Sequence, residues 1–311
     1  MNIKKNLVIG LAMACGLFSQ ANAHGDGNYV HSDLLSSLQK GDKAALLMVH
    51  FGTTHDDTRQ LTIDAINQKA KELFPEFEIR EAYTSRIIMA RLAKRGTRKL
   101  NPAEALAQLK ADGFTHVIVQ STNIIDGVEM ESLRKDIASM EFLFKEIRLG
   151  NPLLYSVEDY EKVAEIISKK GKEKAMTILV GHGTYDPSTA QYAMLDHVMQ
   201  TSRHKDFVVG TVEGYPSFNN AIDRIQEQKK IKEVQLLPFM FVAGDHAKND
   251  IAGDMKQELE EKGYKVTVLL EGLGQNPEIQ DIFIDHIRFM TKHRMIDIMD
   301  KKKAYTEEES K

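Results

Sequence analysis

Short apolar runs alternate with amphipathic stretches along most of the chain. Apolar runs of strand length occupy residues 44–51, 77–82, 116–120, 175–180, 207–212, 234–241 and 265–269. Apolar positions at helical spacing cover residues 56–73, 102–111, 130–142, 188–200, 219–228, 250–262 and 277–292. Strands that alternate with helices of this length predict an α/β fold whose parallel sheets are covered on both faces.

The second half of the chain repeats the pattern of the first. Residues 47–53 read L-M-V-H-F-G-T, and residues 178–184 read I-L-V-G-H-G-T. Each segment is an apolar strand followed by a turn that contains Gly and Thr, and a helix comes next. We therefore predict two similar doubly wound parallel-sheet domains that face each other across a cleft, over residues 43–150 and 151–311. The C-terminal helix is expected to pack back on the first domain.

The N-terminus has the pattern of a secretory signal. Lys4 and Lys5 precede a short apolar run over residues 7–18, and the small-residue motif A-N-A ends at Ala23. We expect residues 1–23 to be a signal peptide that is cleaved after Ala23, which predicts a periplasmic protein. Residues 24–42 are polar and are interpreted as a leader or linker. An N-terminal helix that stays buried or anchored is the alternative.

Composition narrows the chemistry that the chain can perform. Cys15 is the only cysteine and lies within the predicted signal, so a transition metal would be held by His, Asp or Glu side chains. Lipidation at Cys15 is an alternative, although the residues before it match a lipoprotein signal poorly. The 41 basic and 45 acidic residues give a net charge of −4, which argues against a nucleic-acid partner. No segment after the signal is apolar enough to cross a membrane.

Three polar residues follow predicted strands directly. His182 follows the strand over residues 175–180, Glu213 follows the next strand, and His246 comes after the strand over 234–241. Functional groups in open α/β sheets gather at the carboxyl ends of the strands. Two imidazoles and a carboxylate form a common set of ligands for a divalent metal. Ordinary hydrogen-bonded loop histidines are the alternative, since the chain has eleven histidines.

Other motifs point away from nucleotide and hydrolase chemistry. The chain contains no full G-x-G-x-x-G, no phosphate-binding G-x-x-x-x-G-K-[ST] and no G-x-S-x-G nucleophile turn. Basic residues cluster over residues 91–99. This cluster is interpreted as a solvated face, with contact to substrate carboxylates as the alternative.

Six short motifs, taken together, resemble one known family. They read V-H-F-G-T-T at 49–54, Y-T-S-R-I-I at 83–88, I-I-D-G-V-E at 124–129, G-H-G at 181–183, V-E-G-Y-P at 212–216 and V-A-G-D-H-A-K-N-D at 242–250. In order and spacing they resemble the anaerobic sirohydrochlorin cobaltochelatases of the CbiK type, in the class II chelatase superfamily that includes ferrochelatase. The resemblance runs from about Ala44 to Phe289.

The resemblance implies a fold, a reaction and a site. It implies that Co²⁺ is inserted into the tetrapyrrole sirohydrochlorin with release of two protons, with Fe²⁺ or Ni²⁺ as further candidate metals. It implies that His182, Glu213 and His246 bind the metal. Matching the family motifs residue by residue predicts tetrapyrrole contacts at His50, Thr53, Ser85, Arg86, Gly127 and Glu129. The chain departs from the family where its opening Ser is His50 and where I-N-G is I-D-G. A homo-oligomer and haem as an additional ligand stay open, with no axial residue assigned.

Two other classes of function remain as alternatives. An exported protein on the same fold would bind a metal, haem or another tetrapyrrole without turnover, because two facing α/β domains also describe solute-binding proteins. A metal-dependent hydrolase would need an activated water and a different pocket, and the absent hydrolase motifs count against it.

Overall fold

The computed structural model describes residues 28–308, with side chains through residue 303. The predicted signal peptide, residues 1–23, lies outside the described residues. Within the described part of the chain, no helix is long and apolar enough to cross a membrane.

Within residues 28–308, ten strands are distributed over three sheets. In chain order they are β1 (Tyr29–His31), β2 (Ala44–His50), β3 (Glu78–Tyr83), β4 (His116–Ser121), β5 (Glu146–Leu149), β6 (Met176–Gly181), β7 (Phe207–Thr211), β8 (Glu233–Phe239), β9 (Lys265–Val268) and β10 (His293–Met295). All seven residues of β2 and all six of β4 are buried. A continuous apolar run of this kind is typical of a central parallel strand with both faces covered.

Helices connect the strands. They are α1 (Leu34–Ser37), α2 (Asp56–Arg59), α3 (Ala65–Leu73), α4 (Arg86–Lys94), α5 (Pro102–Ala111), α6 (Val128–Met140), α7 (Val157–Ser168), α8 (Ala190–Thr201), α9 (Phe218–Glu227), α10 (Lys256–Glu261), α11 (Pro277–Lys292) and α12 (Ile298–Glu308). A π-helical segment, Gln60–Asp64, joins α2 to α3, and another, Ala247–Met255, leads into α10. π-Helical turns are rare and often lie beside functional sites.

The two large sheets have the same topology. The first has the strand order β3-β2-β4-β5 and the second β7-β6-β8-β9, and every pairing within them is parallel. In each sheet the second strand in chain order pairs on one side of the first, and the third and fourth strands follow on its other side. The strand order therefore reverses between the two central strands. The prediction of two similar α/β halves is confirmed.

The core has three apolar layers. Alternate residues of β2 separate onto two faces: Leu46 and Met48 face a central cluster, and Leu47 and Val49 face an outer one. The second sheet divides likewise, with Leu179 in the central cluster. The central cluster contains residues of both sheets and of α11, so the two halves share one core. α11 contacts β4 of the first sheet as well as α7 of the second half.

The segment interpreted as a polar leader or linker, residues 24–42, contains a strand and a short helix in its described part, residues 28–42. β1 pairs antiparallel with β10, and Leu34 of α1 is fully buried. The buried Arg148 guanidinium donates to the backbone oxygens of Ser32 and Met290, which fastens this N-terminal segment and the end of α11 to β5. β1 and β10 lie far apart in the sequence, so no local pattern predicts that they pair.

Candidate active site

A cleft of about 560 Å³ lies between the two halves, at the carboxyl ends of the central strands. Its first wall is formed by the loops after β2 and β4 together with α4, and its second wall by the loops after β6 and β8 together with Glu213, which follows β7. The strand order of each sheet reverses between β2 and β4 and between β6 and β8, and such points are where open α/β sheets bind ligands.

The three predicted metal ligands lie on the second wall of the cleft, where His182 contacts both of the others. The rings of His182 and His246 are perpendicular, with their centroids 4.7 Å apart. Nδ1 of His182 lies 3.4 Å from Oε1 of Glu213. All three side chains line the cleft and are exposed to solvent to a considerable degree. Two imidazoles and a carboxylate therefore face the space where a ligand would enter.

A glycine makes this approach possible. Gly183 has a φ of 86°, a conformation that residues with a side chain rarely adopt. A Cβ atom at this position would lie 1.3 Å from the carbonyl oxygen of Glu213. The backbone N–H of Glu213 in turn donates to the carbonyl of His182 at 2.9 Å. The turns that carry His182 and Glu213, two of the predicted ligands, are thus in direct backbone contact.

Asp250 holds the ring of His246, the third predicted ligand. Its Oδ2 lies 2.6 Å from Nδ1 of His246, one helical turn earlier. A carboxylate partner on one imidazole nitrogen leaves the other nitrogen available to a metal and fixes the plane of the ring. The sequence analysis assigned no role to Asp250, because it began the predicted helix at residue 250 and left His246 in the turn before it. The i,i+4 spacing of the two residues is the pattern that indicates the contact.

The donor set is not a closed cage. Across the described residues 28–303, no three His, Asp, Glu or Cys side chains are placed so that together they could hold a metal ion, and this includes His182, Glu213 and His246. The second wall supplies a facing pair of imidazoles with a carboxylate beside them.

Four of the predicted tetrapyrrole contacts line the cleft: Thr53, Ser85, Gly127 and Glu129. Ser85 also caps α4, since its hydroxyl oxygen accepts from the backbone N–H of Ile88. Gly127 approaches the second half so closely that a Cβ atom would lie 2.8 Å from Oγ of Ser188. The loop between β4 and α6 therefore contributes both to the cleft and to the contact between the halves.

Two predicted contacts, His50 and Arg86, do not belong to the cleft. His50 is buried, with Nδ1 2.9 Å from Oγ1 of Thr122 and Nε2 3.0 Å from Oδ1 of Asn67. It points into the shared core because it is the last residue of β2, where side chains alternate between faces. Arg86 is exposed in the first turn of α4 and does not line the cleft.

The arginine that does line the cleft is Arg91, in the middle of α4. Its Nη1 donates to Oδ2 of Asp245 at 2.8 Å, and Nε2 of His55 lies 2.7 Å from the other oxygen of Asp245. Asp245 belongs to the second wall, whereas His55 and Arg91 belong to the first. This ion-paired contact, the Asp245 clasp, joins the two walls at the residue next to His246.

The contacts of the Asp245 clasp change the pKa of its carboxylate. The hydrogen bond from His55 holds the pKa of Asp245 below its ordinary value, burial opposes this shift, and Arg91 adds to it. Apart from the clasp, Glu129, Asp250 and the predicted metal ligands, apolar side chains supply much of the cleft lining, including Ile87 and Ile88 of α4 and Val242 after β8. The cleft therefore suits a large ligand with an apolar body and a few polar groups.

The fold and the donor set define a two-domain α/β protein that presents histidines and a carboxylate to a ligand cleft. The sequence profile of the cobalt chelatase (CbiK) family matches residues 44–292. The chain belongs to this family.

Two curated relatives match over most of their own length. The chain is 35% identical over 253 residues to the sirohydrochlorin cobaltochelatase of Salmonella typhimurium, covering 79% of this chain and 95% of that protein. It is 29% identical over 257 residues to the sirohydrochlorin cobaltochelatase CbiKC of Nitratidesulfovibrio vulgaris, covering 79% of this chain and 89% of the relative.

A solved structure shares the fold at low sequence identity. SirB of Bacillus subtilis, determined with Fe³⁺, superposes with a TM-score of 0.58 at 15% identity, covering 80% of this chain and 96% of SirB. A structure of the sirohydrochlorin chelatase SirB from B. subtilis subspecies spizizenii in complex with cobalt gives a TM-score of 0.57 at 12% identity, covering 80% of this chain and 95% of that one.

Proposed function

We propose that this protein inserts a divalent metal, Co²⁺ in the first place, into sirohydrochlorin with release of two protons. The observation that carries the proposal is the facing pair of His182 and His246 with Glu213 beside them, on one wall of a cleft in a CbiK-family chain. Family membership supports the reaction class, and the site supplies the groups that the reaction needs.

The second wall delivers the metal. His182 and His246 bind Co²⁺ through imidazole nitrogens, and Glu213 adds a ligand oxygen and a compensating negative charge. A fully enclosing cage would hold the ion too tightly for transfer, whereas three protein donors leave coordination positions for water and then for the pyrrole nitrogens. Fe²⁺ and Ni²⁺ accept the same donors, so they are the competing metals in the test.

The protons have nearby acceptors. Each metal inserted replaces two pyrrole protons, and imidazole is the side chain that titrates near neutral pH. His182 or His246, once its nitrogen has released the metal, is placed to take such a proton and pass it to solvent at the cleft mouth. Glu213 lies beside His182 and stabilises the imidazolium that results.

The first wall holds the macrocycle. Sirohydrochlorin carries several carboxylates around an apolar ring. Ile87 and Ile88 offer apolar contact, and Arg91 offers a guanidinium, which binds carboxylates with two parallel hydrogen bonds. Because Asp245 already occupies Arg91, a substrate carboxylate would compete with Asp245 for this arginine.

The test is anaerobic metal insertion followed by absorption spectroscopy of the tetrapyrrole. Wild-type protein with Co²⁺ should give multiple turnovers above the no-enzyme rate, and parallel reactions with Fe²⁺ and Ni²⁺ rank the metals. His182→Ala and His246→Ala should each lower turnover at least a hundredfold. His197→Ala, which removes an exposed histidine from α8 outside the cleft, is the matched control. Stoichiometric binding without turnover would contradict the proposal and favour an exported carrier.

Export is a separate proposal that rests on the N-terminal pattern alone. We propose that residues 1–23 direct the chain across the inner membrane and are removed after Ala23. Expression of the full chain in a Gram-negative host, followed by fractionation and intact mass measurement, tests this. A periplasmic species that begins at His24 supports export, and an uncleaved cytoplasmic protein contradicts it.

A further inference from the structure

A chain of hydrogen bonds runs behind the first wall of the cleft. Lys99 donates to one oxygen of Glu81 at 2.6 Å, and the side-chain NH₂ of Asn67 donates to the other at 2.9 Å. Oδ1 of Asn67 then meets Nε2 of His50 at 3.0 Å, and Nδ1 of His50 meets Oγ1 of Thr122 at 2.9 Å. Thr122 is the end of this chain that lines the cleft.

The direction of every hydrogen bond in this chain is fixed by its charged end. Since the carboxylate of Glu81 only accepts, Asn67 must turn its NH₂ toward Glu81 and its oxygen toward His50. Nε2 of His50 therefore carries the proton, and in the neutral ring Nδ1 is a bare acceptor. Burial lowers the pKa of His50, which keeps the ring neutral near pH 7.

This direction determines what Thr122 offers to a ligand. The only proton on its hydroxyl is donated to Nδ1 of His50, since the alternative acceptor, the carbonyl of Val49, is farther away at 3.4 Å. The hydroxyl oxygen can then present only lone pairs to the cleft. Thr122 is thus a fixed hydrogen-bond acceptor in a stretch of the wall that also contains the polar Asn123 and the apolar Ile124 and Ile125.

We propose that Thr122 accepts a hydrogen bond from a pyrrole N–H of the metal-free tetrapyrrole, and that His50 is the positioning residue that makes Thr122 an acceptor. The proposal rests on the proposed function, because it takes a tetrapyrrole as the ligand. Thr122 lies on the first wall and the metal ligands on the second. The macrocycle would therefore turn its N–H groups toward Thr122 and its free nitrogen lone pairs toward the incoming metal.

The metallated product has no pyrrole N–H, and this gives a direct readout. The dissociation constants of metal-free sirohydrochlorin and of cobalt-sirohydrochlorin are measured by anaerobic absorption titration, and their ratio defines the preference for the metal-free form. Thr122→Val, of nearly the same shape, should reduce this preference about fivefold, the value of one neutral hydrogen bond. Thr122→Ser, which keeps the hydroxyl, should retain it.

The role of His50 is tested by non-additivity. His50→Phe keeps a ring against Phe241 but removes the acceptor for Thr122, so the hydroxyl can turn and the preference should fall two- to fivefold. In the double variant with Thr122→Val, His50→Phe should cost nothing further, because both changes remove the same hydrogen bond. If His50→Phe does not fold, Asn67→Ala is used in its place. It removes the partner that fixes the tautomer of His50 and leaves the cleft wall unchanged.

The outcomes separate this inference from the proposed function. If the wild-type protein binds neither form of the tetrapyrrole, the proposed function is wrong and the inference falls with it. If both forms bind and Thr122→Val weakens them equally, Thr122 only shapes the wall, and the inference alone is wrong. Additive losses in the double variant would show that His50 does not act through Thr122.

Discussion

The two halves of the molecule use the same turn for different purposes. β2 leads into Gly52-Thr53, and β6 leads into Gly183-Thr184, with φ values of 100° and 86° at the glycines. When these turns are matched, the imidazole of the second half directly precedes its glycine, whereas His50 stands one residue earlier. Successive side chains along a strand point to opposite sides. This offset of one residue sends His182 into the cleft, 43% exposed, and His50 into the core, 1% exposed.

The neighbouring residues are adapted to this difference. The position that matches His50 in the second half is Gly181, where a Cβ atom would lie 2.3 Å from the ring of Tyr192. The position that matches His182 in the first half is Phe51, an apolar residue of the cleft wall. One half therefore presents the predicted metal ligands to the cleft. The other presents an apolar wall whose polar side chains are hydrogen-bonded on the side away from the cleft.

The largest effect that we expect comes from replacing Gly183, the turn glycine of the second half, with alanine. Gly183→Ala places a Cβ atom against the carbonyl of Glu213, a backbone atom that no rotamer change can move. Glu213 must shift away from His182, and we expect Co²⁺ affinity to fall more than tenfold, with a loss of about 2–4 kcal/mol in unfolding free energy. Calorimetric titration with Co²⁺ and urea unfolding measure both quantities.

Gly52→Ala is the matched variant of the first half. Its Cβ atom would meet the ring of Tyr83 at 2.4 Å, so stability should fall here too, because Tyr83 is fully buried. Co²⁺ affinity should stay within about threefold of the wild-type value, because the metal ligands lie on the other wall (an estimate for sites without shared partners). Equal losses of Co²⁺ affinity in the two variants would show that the two walls do not differ in their contribution to metal binding.

The sequence was sufficient to predict the repeated architecture, because buried parallel strands are continuous apolar runs. Polar residues at the carboxyl ends of these strands were expected to face a ligand, and His182, Glu213 and His246 do line the cleft. Their role as metal ligands stays a prediction that the family resemblance implies. The short pairing of β1 with β10 has no such local pattern. α4 was missed because its basic residues suggested a solvated surface, although the cap at Ser85 marks its start.

Side-chain direction could not be predicted with the same success. The sequence analysis placed His50 in the cleft because the motif around it resembles a family motif. The face to which its side chain points depends on where the strand ends, and β2 continues through His50. Arg86 and Arg91 lie on the same helix, and only the packing of α4 decides that Arg91 lines the cleft. Contacts between the halves, such as Arg91 with Asp245, depend on tertiary structure alone.

The second prediction concerns the support of a metal ligand. Asp250→Asn removes the carboxylate that holds Nδ1 of His246, and we expect about a tenfold loss of Co²⁺ affinity with little change in stability. Glu258→Gln is the matched control, because it weakens another i,i+4 ion pair, with Lys262, outside the cleft. Wild-type Co²⁺ affinity in Asp250→Asn would show that the orientation of His246 is set by other contacts.

The smallest effect is expected where the two walls are joined. Asp245→Asn removes the ion pairs with His55 and Arg91, and because these groups are considerably exposed, the loss of unfolding free energy at pH 7 should stay below about 1 kcal/mol. The pKa of Asp245 is lowered in the folded protein. Its contribution to stability is therefore present above the ordinary carboxyl pKa of about 4 and is lost as the pH falls through the folded value.

The difference between wild type and Asp245→Asn in unfolding free energy should consequently shrink as the pH falls below about 4, because the wild-type carboxyl becomes neutral. Urea titrations at pH 7, 5, 4 and 3 measure this convergence. Asp285→Asn, which removes an ion pair with Arg288 inside α11, is the control for an ordinary exposed pair. Because Asp250 and not Asp245 contacts the His246 ring, Co²⁺ affinity should change less than threefold in Asp245→Asn (an estimate that treats the two carboxylates as independent). A larger loss would mean that the clasp between the walls, and not the second wall alone, sets the geometry of the metal ligands.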